Sequence, residues 1–281
     1  MPEPTKTSRG EYVLIRSDAE SERLERQFNA WQANIGYLLH PSILQHDYMR
    51  IADVGTGTGI WLRELAKTLP PTAQLDGFDL SDSMFARVNL PANINFYHQN
   101  LLEPFPEEFL DKYDVLNVRV MVVALSSEEW GLAVRNLMTL LRPGGHLQWV
   151  DCAAHDCVIE APDGVEPTHA RHYLDIFRTG MMAVGKTPNV ALLNTIFQQS
   201  GLADCEERII PLVNPDAREE VNITVINGIT HFLMAALKLG KKGLVGSTEE
   251  VAKLREAALD DCSKLGCWYC YDVYFVVGWK V

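Results

Sequence analysis

The chain has 281 residues, of which 47% are hydrophobic, so it can build a sizeable core in one large domain or two small ones. Its formal net charge is −12, which repels phosphate backbones, and no basic stripe offsets it, so we expect no nucleic-acid partner. No apolar run approaches the roughly 18 residues of a membrane span, and residues 1–10 lack the apolar stretch of a secretory signal. We therefore expect a cytoplasmic protein without a membrane partner.

The amino-terminal part predicts a disordered tail at residues 1–10 and a helical lid at 11–48. Within the lid, apolar side chains recur at alternating steps of four and three, as on one face of an amphipathic helix. This helix is predicted over 18–39, because His40 precedes a proline and is disfavoured in helical geometry. The apolar face comprises Leu24, Phe28, Trp31, Ile35 and Leu38.

Residues 49–281 predict one α/β domain. Strand and helix signals alternate up to Asp151, an order that favours a doubly wound, mostly parallel sheet with helices on both faces. Two later strands bring the predicted total to seven. The predicted strands are 51–54, 74–80, 94–98, 113–118, 146–150, 205–211 and 271–281, with a turn at 142–145.

Two helical inserts interrupt this alternation, at 152–190 and 218–265. The first contains helix signals and no clear strand, and the second contains a long apolar helix. Together with the lid, we expect the inserts to cover the carboxyl ends of the strands, where open α/β sheets bind ligands.

A glycine-rich loop follows the first predicted strand. Gly55, Gly57 and Gly59 stand two residues apart, which lets the backbone bend sharply and lets a ligand approach the main chain. Ile60 occupies the place of the third glycine of a dinucleotide-binding G-x-G-x-x-G motif, so an NAD-dependent oxidoreductase is disfavoured. The Gly-Lys-Ser/Thr ending of a phosphate loop is also absent.

Two carboxylates accompany this loop. Asp53 directly precedes it, a position that suits a cationic amine better than a pyrophosphate. Asp79 ends the second predicted strand, 24 residues after Gly55, where two acceptor oxygens match the vicinal diol of a ribose. The ligand so described is a nucleoside with an amino group and no phosphate, and S-adenosylmethionine (SAM) fits this description.

The ordered motifs between residues 50 and 150 resemble those of the class I SAM-dependent methyltransferases. They are the glycine loop, Asp79, Asn100-Leu101, the fourth strand with Arg119, and Leu141-Arg-Pro-Gly-Gly145. A narrower resemblance links the chain to methyltransferases of fungal secondary metabolism. It rests on Glu20-Ser-Glu-Arg-Leu24, Leu38-Leu-His40-Pro41 and Val118-Arg119.

The resemblance implies an enzyme that moves a methyl group from SAM to an O, N or S atom of a small, largely apolar molecule, such as a secondary metabolite. By it, the glycine loop would hold the methionine part of SAM, Asp79 the ribose, and Asn100 with Leu101 the adenine. The implied cofactor-binding residues are Asp53, Gly55, Thr56, Gly57, Gly59, Asp79, Leu80, Asn100, Leu101 and Arg119.

Candidate residues on the acceptor side rest on position alone. His155 lies just past the fifth predicted strand and is a candidate general base, with a surface or capping histidine as the alternative. Phe28 and Trp31 on the lid helix, His40 at its end and His231 on an apolar helix are candidate substrate-binding residues. Each of these four has a place in the ordinary core as its alternative.

The activity, the acceptor and the oligomeric state stay open at this point. The same motifs fit a SAM-binding protein that does not methylate, either a regulator or an enzyme that uses the cofactor to assist a rearrangement. No metal site is expected, because Cys267 and Cys270 lack a second Cys/His pair at a matching interval. The sequence leaves the acceptor and the oligomeric state undetermined.

Overall fold

The computed structural model describes residues 18–85, 90–183, 190–240 and 243–281. The tail predicted at 1–10 lies outside these residues, as does the start of the predicted lid.

Strands and helices alternate through most of the described chain. The strands are β1 Arg50–Val54, β2 Gln74–Asp79, β3 Ile94–His98, β4 Tyr113–Arg119, β5 Leu141–Cys152, β6 Val158–Glu160, β7 Leu202–Pro211, β8 Trp268–Cys270 and β9 Asp272–Lys280. The α-helices are α1 Asp18–Ile35, α2 Ile60–Ala66, α3 Glu129–Leu140, α4 Thr168–Ala183, α5 Leu193–Gln199, α6 Arg218–Lys238 and α7 Thr248–Leu265.

Seven of these strands form one sheet in the order β3-β2-β1-β4-β5-β9-β7. Strands β1 to β5 pair in parallel, and β9 runs antiparallel to both of its neighbours, β5 and β7. The strand order reverses between β1 and β4, and doubly wound sheets bind ligands outside the carboxyl ends of the strands at such a point. The predicted fold class, a doubly wound sheet of seven mostly parallel strands, is confirmed.

The middle of the sheet is buried on both faces. Strand β4 is buried in every residue except its last, Arg119, as is typical of a parallel strand covered on both sides. The side-chain amide of Asn117, on this strand, donates to Asp53 on β1 and accepts from Gln148 on β5, at 2.7 Å each. The polar side chains in the centre of the sheet therefore satisfy one another.

The amino-terminal helix is shorter than predicted. It ends at Ile35 because Gly36 has a φ of +83°, in the left-handed region that terminates helices. The Gly36 amide donates to the carbonyl of Gln32 at 3.0 Å and closes the last turn. The prediction that the helix continues to residue 39 was wrong, because the glycine ends it before the proline after His40 has any effect.

Two further predictions differ from the structure. The turn predicted at 142–145 is a bulge inside β5, between the register pairs Tyr113–Leu141 and Val115–His146. The insert 152–190, expected to lack strands, contains β6, which pairs antiparallel with β8 near the carboxyl terminus. A three-residue strand is too short to leave a clear periodic pattern in the sequence.

The inserted helices pack on one another and on the amino-terminal helix. Helix α1 packs along α6, and both α4 and α6 pack against α7. Their apolar side chains share one buried cluster with Trp31 of α1 and with Tyr271 and Phe275, beside and within β9. The amino-terminal helix is therefore joined to the inserts through a common core.

One helix in the described part of the chain, Pro215–Lys238, is long and apolar enough to cross a membrane by length and composition. The sequence predicts a long apolar helix in the insert 218–265 but no apolar run of membrane-spanning length. Half of its most apolar window is buried inside the protein, and core helices pass the same test.

Trp31 gives a direct test of how α1 is held. Its side chain is fully buried, and its indole Nε1–H donates to the Tyr271 hydroxyl at 2.8 Å. We predict that Trp31→Ala lowers the free energy of unfolding by about 3–5 kcal/mol, as expected for a large buried aromatic. Urea unfolding measures this change.

The control is Leu44→Ala, because Leu44 is 86% exposed and should change stability by less than about 0.5 kcal/mol. A loss of under about 1 kcal/mol for Trp31→Ala would contradict the assignment of Trp31 to the core.

Candidate active site

Two adjoining cavities lie on the ligand-binding side of the sheet. The first encloses about 1360 Å³ of empty space, partly open to solvent, and is lined by the glycine loop, the ends of β1, β2 and β4, and the α1 helix. The second has about 700 Å³ of empty space, also partly open to solvent, and is lined mainly by apolar side chains of the inserts. The two share Gln27 and Val120 in their linings.

The glycine loop is tied to the end of β2. The amides of Gly55 and Thr56 donate to the carbonyl of Phe78 at 2.8 and 3.0 Å. Gly55 and Gly57 have φ values of +74° and +55°, which residues other than glycine rarely adopt. A Cβ atom at Gly57 would stand 3.5 Å from Leu24 Cδ1, so α1 lies directly over the loop.

Gly59 differs from the other two glycines of the loop. It is not among the described residues that line the first cavity. It has a φ of +71° at the N-cap of α2, and a Cβ atom there would come within 2.4 Å of the Phe96 ring. The structure thus gives Gly59 a conformational role at the start of α2, and its contact with the ligand stays a prediction.

Asp79 lies at the end of β2 and lines the first cavity, as its spacing from the loop predicts. Its carboxylate accepts from the Gly57 amide at 2.9 Å and from the Ser81 amide at 3.0 Å. Amide donors at this carboxylate hold it in place between the glycine loop and the turn after β2. The position suits recognition of a diol.

Asp53 is nearly fully buried at the end of β1. Burial raises the pKa of its carboxyl to about 6, opposed by hydrogen bonds from Thr56 and Asn117 and by the charge of Arg119. Thr56 Oγ1 donates to Asp53 at 2.6 Å. A cation bound in the cavity would favour the charged form of this carboxyl further.

Arg119 ends β4 and lines the same cavity. Its guanidinium lies 5.0 Å from the ring centroid of Phe28 and 5.6 Å from that of Trp31. Burial lowers the pKa of Arg119 to about 10, and the charges of Asp53 and Asp151 oppose this shift. Arg119 therefore stays charged and rests against aromatic rings, a stabilising arrangement.

Asn100, Leu101 and Leu80 also line the first cavity. The Asn100 side-chain oxygen accepts from the Leu102 amide at 3.0 Å, so it shapes its own turn. Leu101 is buried and apolar, as a surface for a flat base requires. The structure thus brings all the predicted cofactor residues except Gly59 to one cavity.

The predicted acceptor-side residues are not brought together. Phe28 lines the first cavity, and Trp31 lines neither. His40 is buried, with Nδ1 2.7 Å from Ser42 Oγ and its amide donating to Gln148 of β5 at 3.0 Å. These contacts give Trp31 and His40 structural roles.

The two remaining histidines also lie outside the second cavity. The side chain of His155 is 46% exposed, and its Nε2 lies 3.2 Å from Asp156. His231 Nδ1 contacts the buried carboxylate of Glu20. The alternatives stated above, a surface histidine for His155 and a satisfied histidine in the core for His231, fit these positions.

Sequence reasoning missed several residues that line the second cavity. They include Arg23, Gln27, Phe177, Phe232 and Tyr271, and no motif in the sequence marks any of them as part of a cavity. The two phenylalanine rings meet edge to face at 5.3 Å. Arg23 and Gln27 precede Phe28 on α1, and no spacing in the sequence distinguishes them from exposed polar residues.

Asp151, at the end of β5, shapes the lining segment after β4. Its carboxylate accepts from the Met121 amide at 2.6 Å, the Cys152 amide at 2.9 Å and Trp149 Nε1 at 3.1 Å. Fully buried, it is a structural cap. In the described residues, no group of three or more His, Cys, Asp or Glu side chains could hold a metal ion.

Known proteins match the chain in sequence and in fold. Residues 51–145 match a family model described as a methyltransferase domain. The chain is 33% identical to the Penicillium methyltransferase grgD, over 96% of each chain. It is 26% identical to the Claviceps purpurea N-methyltransferase tcpN, over 92% of this chain and 94% of the relative.

A solved structure gives the same fold. It is a phosphoethanolamine N-methyltransferase 2 from Haemonchus contortus, in complex with phosphomonomethylethanolamine and S-adenosylhomocysteine (SAH). The TM-score is 0.52 at 16% identity, over 89% of this chain and 52% of that one. Three observations point to the same family. They are the sheet order, the glycine loop with its two acids, and the match to grgD over nearly the whole chain. The chain belongs to the class I SAM-dependent methyltransferases.

Proposed function

We propose that this enzyme methylates a small, neutral, largely apolar molecule that binds in the second cavity. The observation that supports this most is the pair of adjoining cavities. One is lined by acids, the glycine loop and Arg119, and the other mainly by apolar side chains. A mostly apolar pocket with few polar groups is typical for such ligands.

The side chains that line the first cavity suit SAM. The loop glycines leave the main chain open to a ligand, Asp79 suits a ribose, and Asp53 suits a cation. When bound, SAM would supply an activated methyl group: its carbon–sulfur bond would break as the acceptor atom bonds to the methyl carbon, leaving SAH as a thioether. The neutral acceptor would take over the positive charge and then release a proton from the methylated atom to water. Leu24 and Phe28 of α1 cover the loop and restrict the access of water to this site.

The lining of the second cavity favours a neutral acceptor. Arg23 is the one charged side chain among the described residues that line it, and Glu20 accepts from it at 2.7 and 2.8 Å. An acidic or cationic acceptor would leave its own charge unpaired at a cost. A neutral molecule avoids that cost.

The described lining of the second cavity contains no carboxylate and no imidazole. We therefore propose that the enzyme acts by positioning and desolvation and uses no side chain there as a strong base. Burial raises the pKa of Tyr271 well above its usual range, so its hydroxyl stays protonated. Tyr271 would serve as a hydrogen-bond donor.

Nitrogen is the methylated atom that the relatives favour. The Claviceps relative is named an N-methyltransferase, and so is gliN of Aspergillus fumigatus, whose sequence is 24% identical over 81% of this chain. The alternative of a SAM-binding protein that does not methylate is less favoured, because the relative matched nearly end to end is itself named a methyltransferase.

This function is tested by incubating the enzyme with labelled SAM and a panel of acceptors. The panel contains neutral molecules, namely cyclic amides and phenols, and charged ones, namely carboxylic acids and amines. Mass spectrometry should find the label in a neutral member and an equal amount of SAH. Transfer only to charged members would contradict the neutral acceptor. The Gly57→Val variant is the control, because its Cβ would intrude where the ligand meets the main chain and no transfer should remain.

Asp79 is predicted to contribute strongly to cofactor affinity. Asp79→Ala should weaken SAH binding by about 1.5–3 kcal/mol, because a charge-assisted hydrogen bond to the ribose is lost. Isothermal calorimetry measures the change. Asp82→Ala is the matched control, since Asp82 lies three residues after Asp79 and is exposed. The SAH affinity of this variant should stay within about twofold of the wild type. Equal affinities for both variants would contradict the assignment.

The affinity for SAM is predicted to rise with pH. The pKa of Asp53 in the fold is about 6, above its usual value of 3.8, so ionisation between these values destabilises the unliganded protein. A bound cation offsets that penalty. The SAM affinity should therefore increase by about tenfold from about pH 5 to about pH 7.

Asp53→Asn should flatten this pH profile, because the amide does not titrate in that range. Calorimetry at several pH values makes the comparison. A wild-type affinity that does not change with pH, or an unchanged slope in the variant, would exclude Asp53 as the group responsible.

Gly228 of α6 tests the acceptor cavity. It lines that cavity, and a Cβ atom at this position would stand 3.8 Å from its nearest neighbour, Arg23 Nη1, so a side chain fits and projects into the space. Gly228→Leu should raise the acceptor KM by about ten- to a hundredfold, because the leucine side chain occupies space that the acceptor needs. The SAH affinity should stay unchanged.

Gly228→Ala is the matched control. It should stabilise the helix by up to about 1 kcal/mol and change KM little. An unchanged KM in Gly228→Leu would mean that the acceptor binds elsewhere.

A further inference from the structure

Two residues are common to the linings of both cavities, Gln27 on α1 and Val120 after β4. A methyl group that moves from one cavity to the other passes this boundary. Val120 has a φ of +59°, a strained conformation for a β-branched residue. Its amide donates to the carbonyl of Val150 at 3.0 Å, which holds the main chain in that conformation. Val120 contributes an apolar side chain, and Gln27 is the polar side chain at the boundary.

The orientation of the Gln27 amide is fixed by its neighbour. Arg23 Nη1 donates to Gln27 Oε1 at 3.0 Å. A guanidinium has donors only, so the atom that faces it must be the oxygen of the carboxamide. The nitrogen Nε2, with two hydrogens, is then the other end of the group. Of the residues that the structure describes, none accepts a hydrogen bond from it.

Arg23 is itself held firmly. Its Nε and Nη2 donate to the two carboxylate oxygens of Glu20 at 2.8 and 2.7 Å, and both side chains are buried. His231 of α6 contacts the same carboxylate. A forked, buried pair of this kind has one geometry. Arg23 is thus a positioning residue for Gln27, and the cluster joins α1 to α6.

We propose that Gln27 is a specificity-determining residue that donates a hydrogen bond from Nε2 to the methyl acceptor at the boundary between the cavities. The proposal rests on the proposed function and narrows the acceptor class. The acceptor is a neutral molecule with a hydrogen-bond-accepting oxygen, such as a carbonyl, next to the atom that receives the methyl group. A molecule without that oxygen displaces water from the Gln27 donor and leaves the donor unpaired, which weakens the binding of that molecule.

Two small probes of equal size test this donor. Acetophenone carries a carbonyl oxygen, and α-methylstyrene carries a methylene group in its place. Their affinities for the SAH-saturated enzyme are measured by protein-observed NMR titration in the wild type and in Gln27→Met. The ratio of the two affinities is compared between the wild type and the variant. The hydration of the free probes cancels in this comparison, because it is the same for both enzymes. The ratio should shift against acetophenone by about three- to tenfold in the variant.

Gln32→Met is the matched control, since Gln32 lies on the same helix and lines neither cavity. Its probe ratio should equal that of the wild type. Gln27→Glu is a second variant, because it keeps the acceptor for Arg23 but offers only lone pairs at the boundary, and its ratio should fall as in Gln27→Met. Calorimetry with SAH, run on every variant, reports separately whether the cofactor cavity is intact.

An unchanged ratio in Gln27→Met, an equal fall in Gln32→Met, or no saturable binding of either probe would overturn the proposal. Each of these outcomes is distinct from failure of the proposed function, which would appear as a wild-type enzyme that binds no SAH or transfers no label.

Discussion

A chain of buried hydrogen bonds across three neighbouring strands is the interaction on which the site depends. Asn117 on β4 donates to Asp53 on β1, and its oxygen accepts from Gln148 on β5. Gln148 in turn accepts from the His40 amide at 3.0 Å and donates to the Leu38 carbonyl at 2.9 Å. Asn117 and Gln148 are fully buried, so each polar atom left unpaired there would cost about 1–3 kcal/mol.

The same chain of bonds brings the parts of the site together. At one end it holds Asp53 beside the glycine loop, and at the other it fixes the segment that follows the amino-terminal helix. The helix is thereby anchored at its carboxyl end, while Trp31, through Tyr271, and Glu20, through His231 of α6, anchor it along its length. The predicted lid is therefore part of the core, and its residue Gln27 lies at the boundary between the two cavities.

The residues predicted to bind the cofactor, except Gly59, line one cavity because their positions are set locally. Asp53, the loop glycines and Asp79 follow strand ends directly, and strand order alone brings such positions to one edge of a sheet. The acceptor side is assembled from distant segments. Gln27 and Tyr271 line the same cavity although 244 positions separate them, and no periodicity reports that proximity. His155 shows the converse, because a place after a strand end does not fix where a side chain points.

The central claim is that cofactor and acceptor occupy separate cavities that meet at Gln27 and Val120. A crystal structure of the enzyme with SAH bound tests it most directly. The account predicts the ribose at Asp79, the adenine beside Leu101, and the sulfur directed toward the boundary with the second cavity left open. SAH that extends into the second cavity, or that binds away from the glycine loop, would contradict it.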